Sequence, residues 1–290
     1  MTAPTQPVAP PKVLVALALF AVYVVWGSTY FAMRVALETL PPFTMAGPRF
    51  LLAGGGMYAF LRLRGAPAPT RTEWLASAKI GVLLLTFGNG AVAIAEQSVS
   101  SSVAAVVVAS MPIWAAAFAR LAGLRASGRE WLGLALGFAG VVLLNLGGGL
   151  LFDARGLVLL VAPVAWAAGS VMSGKLPLPK GAMATATQMV AGGVTLVALA
   201  IATGERVLQV PSARSLAAVL YLTLFGSVLA FTAYSWLLRN VRPVLATSYA
   251  YVNPLVAVVL GYAYGGETVT VMTLAAAAVS LAGVALIARR

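Results

Sequence analysis

The sequence predicts an all-α integral membrane protein with ten transmembrane helices, arranged as two inverted five-helix repeats. Three observations carry this. First, the uncharged run Val13–Met33 is 21 residues long and is bracketed by Lys12 and Arg34. A helix of about 20 apolar residues spans the ~30 Å hydrocarbon core of a bilayer. Second, 61% of the 290 residues are hydrophobic, only 9% are charged, and the mean hydropathy is +0.96. Soluble domains carry about 25% charged residues. With no period-two alternation the membrane part must be helical, because helices satisfy their own backbone hydrogen bonds where hydrocarbon offers no partner. Third, landmarks recur at nearly constant offset: Trp26 with Trp166 (140 residues), Phe87-Gly88 with Phe225-Gly226 (138), Pro112 with Pro254 (142) and Gly140-Val141 with Gly283-Val284 (143). Such self-similarity marks a duplication. Five spans per half is an odd number, so the halves insert in opposite orientations, and inverted repeats place a substrate site near the midplane between them.

Taken in order, residues 1–11 are rich in Pro and Thr and form a disordered cytoplasmic tail. The first repeat, 12–150, begins with the span 13–33, too long for the apolar part of a signal peptide. Its second span, 43–63, closes at Arg62 and Arg64, and its third, 79–97, runs from Lys79 to Glu96-Gln97. The fourth, 103–122, carries Pro112 centrally and ends at Arg120, and the fifth, 131–149, follows Arg129. The second repeat, 151–290, holds 156–174, 183–203, 216–237, 244–263 and 270–287. Ten spans put both termini on one side. Fourteen of the 19 Lys and Arg fall on that side, and only Arg34, Arg49, Arg155, Arg206 and Arg214 on the other. Basic residues favour the cytoplasmic side in short loops, so both termini are expected in the cytoplasm. The net charge of +12 is thereby topological and does not signal nucleic acid.

The chemistry available is restricted. There is no Cys and no His, so thiolate metal sites, imidazole ligands, the usual neutral-pH proton shuttle and Ser/His/Asp catalysis are all excluded. No metal and no cofactor is expected. Gly169-x4-Gly174-Lys175 has phosphate-loop spacing, but Leu176 offers no hydroxyl to Mg²⁺ and the motif follows a membrane helix instead of a strand.

Polar and aromatic residues near mid-span form the candidate substrate site: Trp26, Tyr30, Asn89, Ser110, Trp114, Trp166, Ser170, Ser227, Tyr234, Tyr251 and Asn253. Lipid-facing positions need no amides or hydroxyls, so such groups either line a cavity or hydrogen-bond between helices. Pro112 and Pro254 each remove a backbone donor and free a carbonyl near mid-helix. Arg49 has two readings, a bidentate contact with a substrate carboxylate or snorkelling to the headgroups, and the sequence favours snorkelling. Glu96 is either an amine-binding or coupling carboxylate or an interfacial cap. Gly133, Gly137 and Gly140, with Ala275–Ala278, Ala282 and Gly283, make small-residue stripes that let helices approach closely.

With WGSTYFAMR in the first span and the central-proline segments VVASMPIWAAAF and SYAYVNPLVAVVLGYAYGGE, the chain resembles the EamA-type drug/metabolite transporter superfamily over residues 13–287. Within it, the aromatic residues of the central spans resemble those of YddG-type aromatic amino-acid exporters. That family commonly ends the fourth helix of each half with Gly-Glu; Gly266-Glu267 matches in the second half, whereas Leu124-Arg125 stands in the first. The resemblance implies an exporter of the bacterial inner membrane that works by alternating access, with the small-residue stripes of its fifth and tenth helices pairing the halves or two protomers of a homodimer. Its expected substrates are amino acids, with aromatic and other neutral side chains preferred. Multidrug or organic-cation export is the alternative, and a membrane-embedded enzyme or a channel the more distant ones.

Overall fold

The computed structural model describes residues 11–98, 104, 107–144, 157–265 and 270–289, and these contain helices, turns and loops but no strand. The helices are α1 Lys12–Leu37, α2 Pro42–Leu63, α3 Arg71–Ala95, α4 Met111–Leu121, α5 Gly128–Leu144, α6 Val161–Ser173, α7 Ala182–Ala202, α8 Ala213–Asn240, α9 (Pro243–Ala246 and Tyr249–Gly265) and α10 Val271–Ala288. Among the described residues, six stretches are long and apolar enough to cross a bilayer: α1, α3, α7, α8, Pro243–Leu260 and α10. Large apolar side chains such as Leu17, Phe20, Phe31, Leu224 and Leu274 are exposed on the outside of the bundle, as lipid contact requires.

Local chemistry sets the ends. Thr70 and Glu73 form a capping box, with the Glu73 amide donating to Thr70 Oγ1 at 3.2 Å and the Thr70 amide to Glu73 Oε2 at 2.7 Å. This starts α3 at Arg71, eight residues before hydropathy alone places it. Pro42 opens α2 at its first turn. Pro112 also occupies the first turn of its helix, because the chain turns at Ala109-Ser110 before α4 begins. Its placement at mid-helix in the sequence reading is therefore corrected, whereas Pro254 lies inside α9. Residues 1–10 of the tail, the end of the fifth span beyond Leu144, the start of the fourth and the Gly266-Glu267 turn lie outside the described residues.

Two features make the duplication visible. Residues Val82–Asn89 within α3 and Leu222–Phe231 within α8 are both π-helical, and they carry the repeated Phe-Gly pair. Helix contacts are also preserved when each helix is exchanged for the one five places away. α2 packs on α7 and α5 on α10, the two most extensive contacts; α1 on α9 is mirrored by α6 on α4, and α1 on α8 by α6 on α3. Small residues permit the pairing of α5 with α10: a Cβ on Gly133 would sit 2.7 Å from the Gly283 carbonyl. One on Gly54 would sit 2.7 Å from the Val190 amide across the α2–α7 seam. A carboxylate closes that second seam, for Glu205, just past α7, accepts from the Phe43 amide (3.1 Å), the Thr44 amide (2.7 Å) and Thr44 Oγ1 (2.8 Å) at the start of α2.

Candidate substrate cavity

A cavity lies between α1, α2, α3, α6, α8 and α9. One face of α1 supplies Trp26, Thr29, Tyr30 and Met33 at i, i+3, i+4 and i+7. Leu85, Gly88, Asn89 and Val92 face them from the π segment and following turn of α3. Arg49 and Phe50 enter from α2, Trp166 from α6, Gly226 and Phe231 from α8, and Tyr249 and Asn253 from α9. The cavity has room for several waters.

Aromatic rings make its floor. The Trp26 ring meets the edge of Trp166 at 5.5 Å and 90°, Tyr249 at 4.8 Å and Tyr234 at 5.0 Å. Trp26 Nε1 donates to the Gly226 carbonyl at 3.0 Å. A π turn displaces the backbone from the regular helical ladder, and glycine lets an indole reach it: a Cβ on Gly88 would run into the Trp166 ring. The π segments thus carry the two repeated glycines to the two repeated tryptophans.

The polar groups are few. Arg49 is 4% exposed; its Nε donates to Ser227 Oγ at 3.0 Å and its guanidinium carbon lies 4.4 Å from the Phe50 ring centre. Its Nη1 is buried without a partner. The ion pairs Arg214–Glu38 and Arg242–Glu130 lie elsewhere, and among the described residues no carboxylate pairs with Arg49. Burying a charge that way costs several kcal/mol. Asn89 Oδ1 is likewise buried and unpartnered. Asn253, with its amide oriented so that the nitrogen donates to the Tyr249 carbonyl (3.0 Å) and the Tyr23 carbonyl (3.3 Å), turns its other end to the Tyr30 hydroxyl. The snorkelling reading of Arg49 is corrected: the side chain turns inward to Ser227 instead of outward to headgroups.

Of the residues singled out in the sequence, Trp26, Tyr30, Asn89, Trp166, Asn253 and Arg49 line the cavity. Ser227 stands behind Arg49, and Ser170 and Tyr234 form a 2.5 Å hydrogen bond behind the aromatic floor. Tyr251 faces away, donating to the Leu134 carbonyl at 3.2 Å against α5. Ser110 bonds its own turn at Val107, and Trp114 is 42% exposed and stacks on Phe118. Pro112 and Pro254 are not in the lining, and Glu96 lies one turn beyond Val92, with both carboxylate oxygens buried and unpartnered. Tyr249, Phe50 and Phe231 were absent from the sequence-based set; the i, i+4 spacing of Tyr249 and Asn253 was the available signal for the first.

The model of the EamA-like transporter family matches residues 13–146 and again 155–289. The chain belongs to the EamA-like transporter family. It is 50% identical over 255 residues to the uncharacterized inner membrane transporter YedA of Escherichia coli (strain K12), covering 87% of this chain and 83% of that one. It is 29% identical over 289 residues to a WAT1-related chloroplastic protein of Arabidopsis thaliana, covering 93% of this chain and 68% of that one. One crystal structure superposes with a TM-score of 0.78 over 94% of this chain and 96% of its own, at 20% identity, a likeness of fold. This EamA family member is accordingly a membrane transporter of two repeats, and its apolar helices fit a multi-pass inner-membrane protein.

Proposed function

We propose that this EamA transporter exports neutral amino acids from the bacterial cytoplasm by alternating access, preferring aromatic and other apolar side chains. The observation that carries the reading is the unanswered Arg49 guanidinium in an aromatic-walled cavity. A substrate carboxylate would complete Arg49 through charge-assisted bonds. Trp26, Trp166, Tyr249 and Phe50 would pack an apolar side chain, and the carboxamides of Asn89 and Asn253 would orient an ammonium or carboxyl group. A cationic drug would meet a buried like charge at Arg49, which weighs against organic-cation export. In this reading ten helices cross the membrane as two inverted repeats, 12–150 and 151–290, with both termini cytoplasmic. The outward direction comes from the family resemblance. Facilitated diffusion or weak coupling is expected, because a chain without His supplies few groups for a proton relay. The test is uptake of labelled leucine and tryptophan into proteoliposomes preloaded with unlabelled amino acid. Saturable trans-stimulated uptake supports the proposal; uptake linear in concentration and indifferent to preloading refutes it.

A further inference from the structure

The two repeats are not in the same state, and the difference falls on one pair of positions in each. The offset that relates Trp26 to Trp166 relates Tyr30 on α1 to Ser170 on α6; the offset that relates Phe87-Gly88 to Phe225-Gly226 relates Glu96, closing α3, to Tyr234 on α8. Tyr30 and Glu96 are therefore the repeat counterparts of Ser170 and Tyr234. Ser170 and Tyr234 are hydrogen-bonded at 2.5 Å, both fully enclosed, behind the cavity floor. Tyr30 and Glu96 are close enough to interact electrostatically, yet both Glu96 oxygens lack a hydrogen bond, and Arg34 stands nearby. These pairs lie towards opposite ends of the bundle. Ser215, at the start of α8, donates to the Val35 carbonyl near the end of α1 at 2.9 Å, so Tyr234 lies far down α8 from the Arg34 end.

The indoles differ too: Trp26 Nε1 is bonded to Gly226, while Trp166 Nε1, beside the Tyr234 hydroxyl, has no well-formed hydrogen bond. The cavity itself extends to Met33 and Val92, one residue and one turn from Arg34 and Glu96, and stops at the ring floor on the other side.

We propose that Ser170–Tyr234 and Tyr30–Glu96 are the two gates of the transporter, made alternately, and that this structure has the first closed and the second unmade. In the opposite state α1 and the end of α3 approach, Tyr30 donates to the Glu96 carboxylate, and Tyr234 releases Ser170. This rests on the alternating-access part of the proposed function but not on the substrate. Each gate bond opposes the other, so deleting one shifts the population towards the other's state.

The native chain has no Cys, so Val92→Cys in full-length protein in sealed vesicles reports access without background. Its labelling rate by a membrane-impermeant thiosulfonate is measured from each face. A buried hydrogen bond contributes about 1 kcal/mol, about fivefold in population. Adding Tyr234→Phe should lower the ratio of labelling from the Arg34 face to labelling from the other face about fivefold. Adding Tyr30→Phe or Glu96→Leu should raise that ratio about fivefold, and Glu96→Gln, which keeps an acceptor, should leave it near the starting value. A short bis-thiosulfonate across Tyr30→Cys/Glu96→Cys should trap the state closed to the Arg34 face, and one across Ser170→Cys/Tyr234→Cys the reverse. Shifts of the same sign for both gates, no shift for either, or a Tyr30→Cys/Glu96→Cys link that leaves Val92→Cys accessible from the Arg34 face would overturn the proposal. Loss of amino-acid counterflow with the opposed shifts intact would instead count only against the substrate assignment.

Discussion

Replacing Arg49 by Met separates a binding group from a structural one. In the structure the guanidinium makes one side-chain hydrogen bond, to Ser227 at 3.0 Å, and leaves Nη1 buried and unpartnered. A fully enclosed charge without a counter-charge is a net cost to folding. Methionine of similar length removes that cost, several kcal/mol, at the loss of one hydrogen bond from a charged donor, worth about 1.5–3 kcal/mol. The variant should therefore melt at or above the wild-type temperature. Substrate recognition should move the other way. A charge-assisted bond to a carboxylate contributes about 1.5–3 kcal/mol, so carboxylate affinity should fall by about 10- to 150-fold. Arg49→Lys keeps the charge but not the fork that reaches Ser227 and a carboxylate together, and should lose about tenfold. The assay pairs a thermal melt in detergent with competition of leucine counterflow by leucine and by leucinamide. Leucine should lose its advantage over leucinamide in Arg49→Met. A variant that melts several degrees lower, or that transports leucine with unchanged half-saturation, would refute the reasoning.

Three further outcomes follow from the same geometry. Gly283→Val places side-chain atoms against the Gly133 carbonyl and Gly137 backbone, and should cost about 1–3 kcal/mol through overpacking, read as a lower melting temperature with substrate preference unchanged. Glu205→Ala removes the acceptor for two amides and a hydroxyl at the start of α2, and should destabilise by about 1–2 kcal/mol, whereas Glu205→Asp should recover part of it in the same melt. A periplasm-active reporter fused after Arg290 should be silent, and a strong signal would contradict cytoplasmic termini.

Much of the fold was legible because lipid imposes one rule on every span and because the duplication repeats rare residues. Trp26 and Trp166 could be paired from the sequence alone, and the structure brings their rings together. The depth and direction of Arg49 could not be read. Seven residues into α2 it is within snorkelling reach, and only Ser227 of α8 and the Phe50 ring decide that it turns inward. Tyr251 and Tyr249 show the limit of a composition argument. Two residues apart on one helix they point to nearly opposite sides, so one packs on Gly137 and the other meets Trp26. The π segments were hidden for a different reason: their residues have ordinary helical propensity, and the contacts made there, Trp166 against Gly88 and the Trp26 indole bonded to the Gly226 carbonyl, join residues far apart in the sequence. Trp114 carried the right chemistry on the outer face of its helix.

The central claim is that the cavity floored by Trp26 and Trp166 binds and carries neutral amino acids. Counterflow of labelled tryptophan and leucine in proteoliposomes, with Trp26→Ala and Trp166→Ala beside the wild type, tests it most directly. Saturable counterflow in the wild type, reduced at least tenfold in both variants while their abundance and insertion stay normal, is the predicted result. Wild-type counterflow rates in both variants would contradict the account.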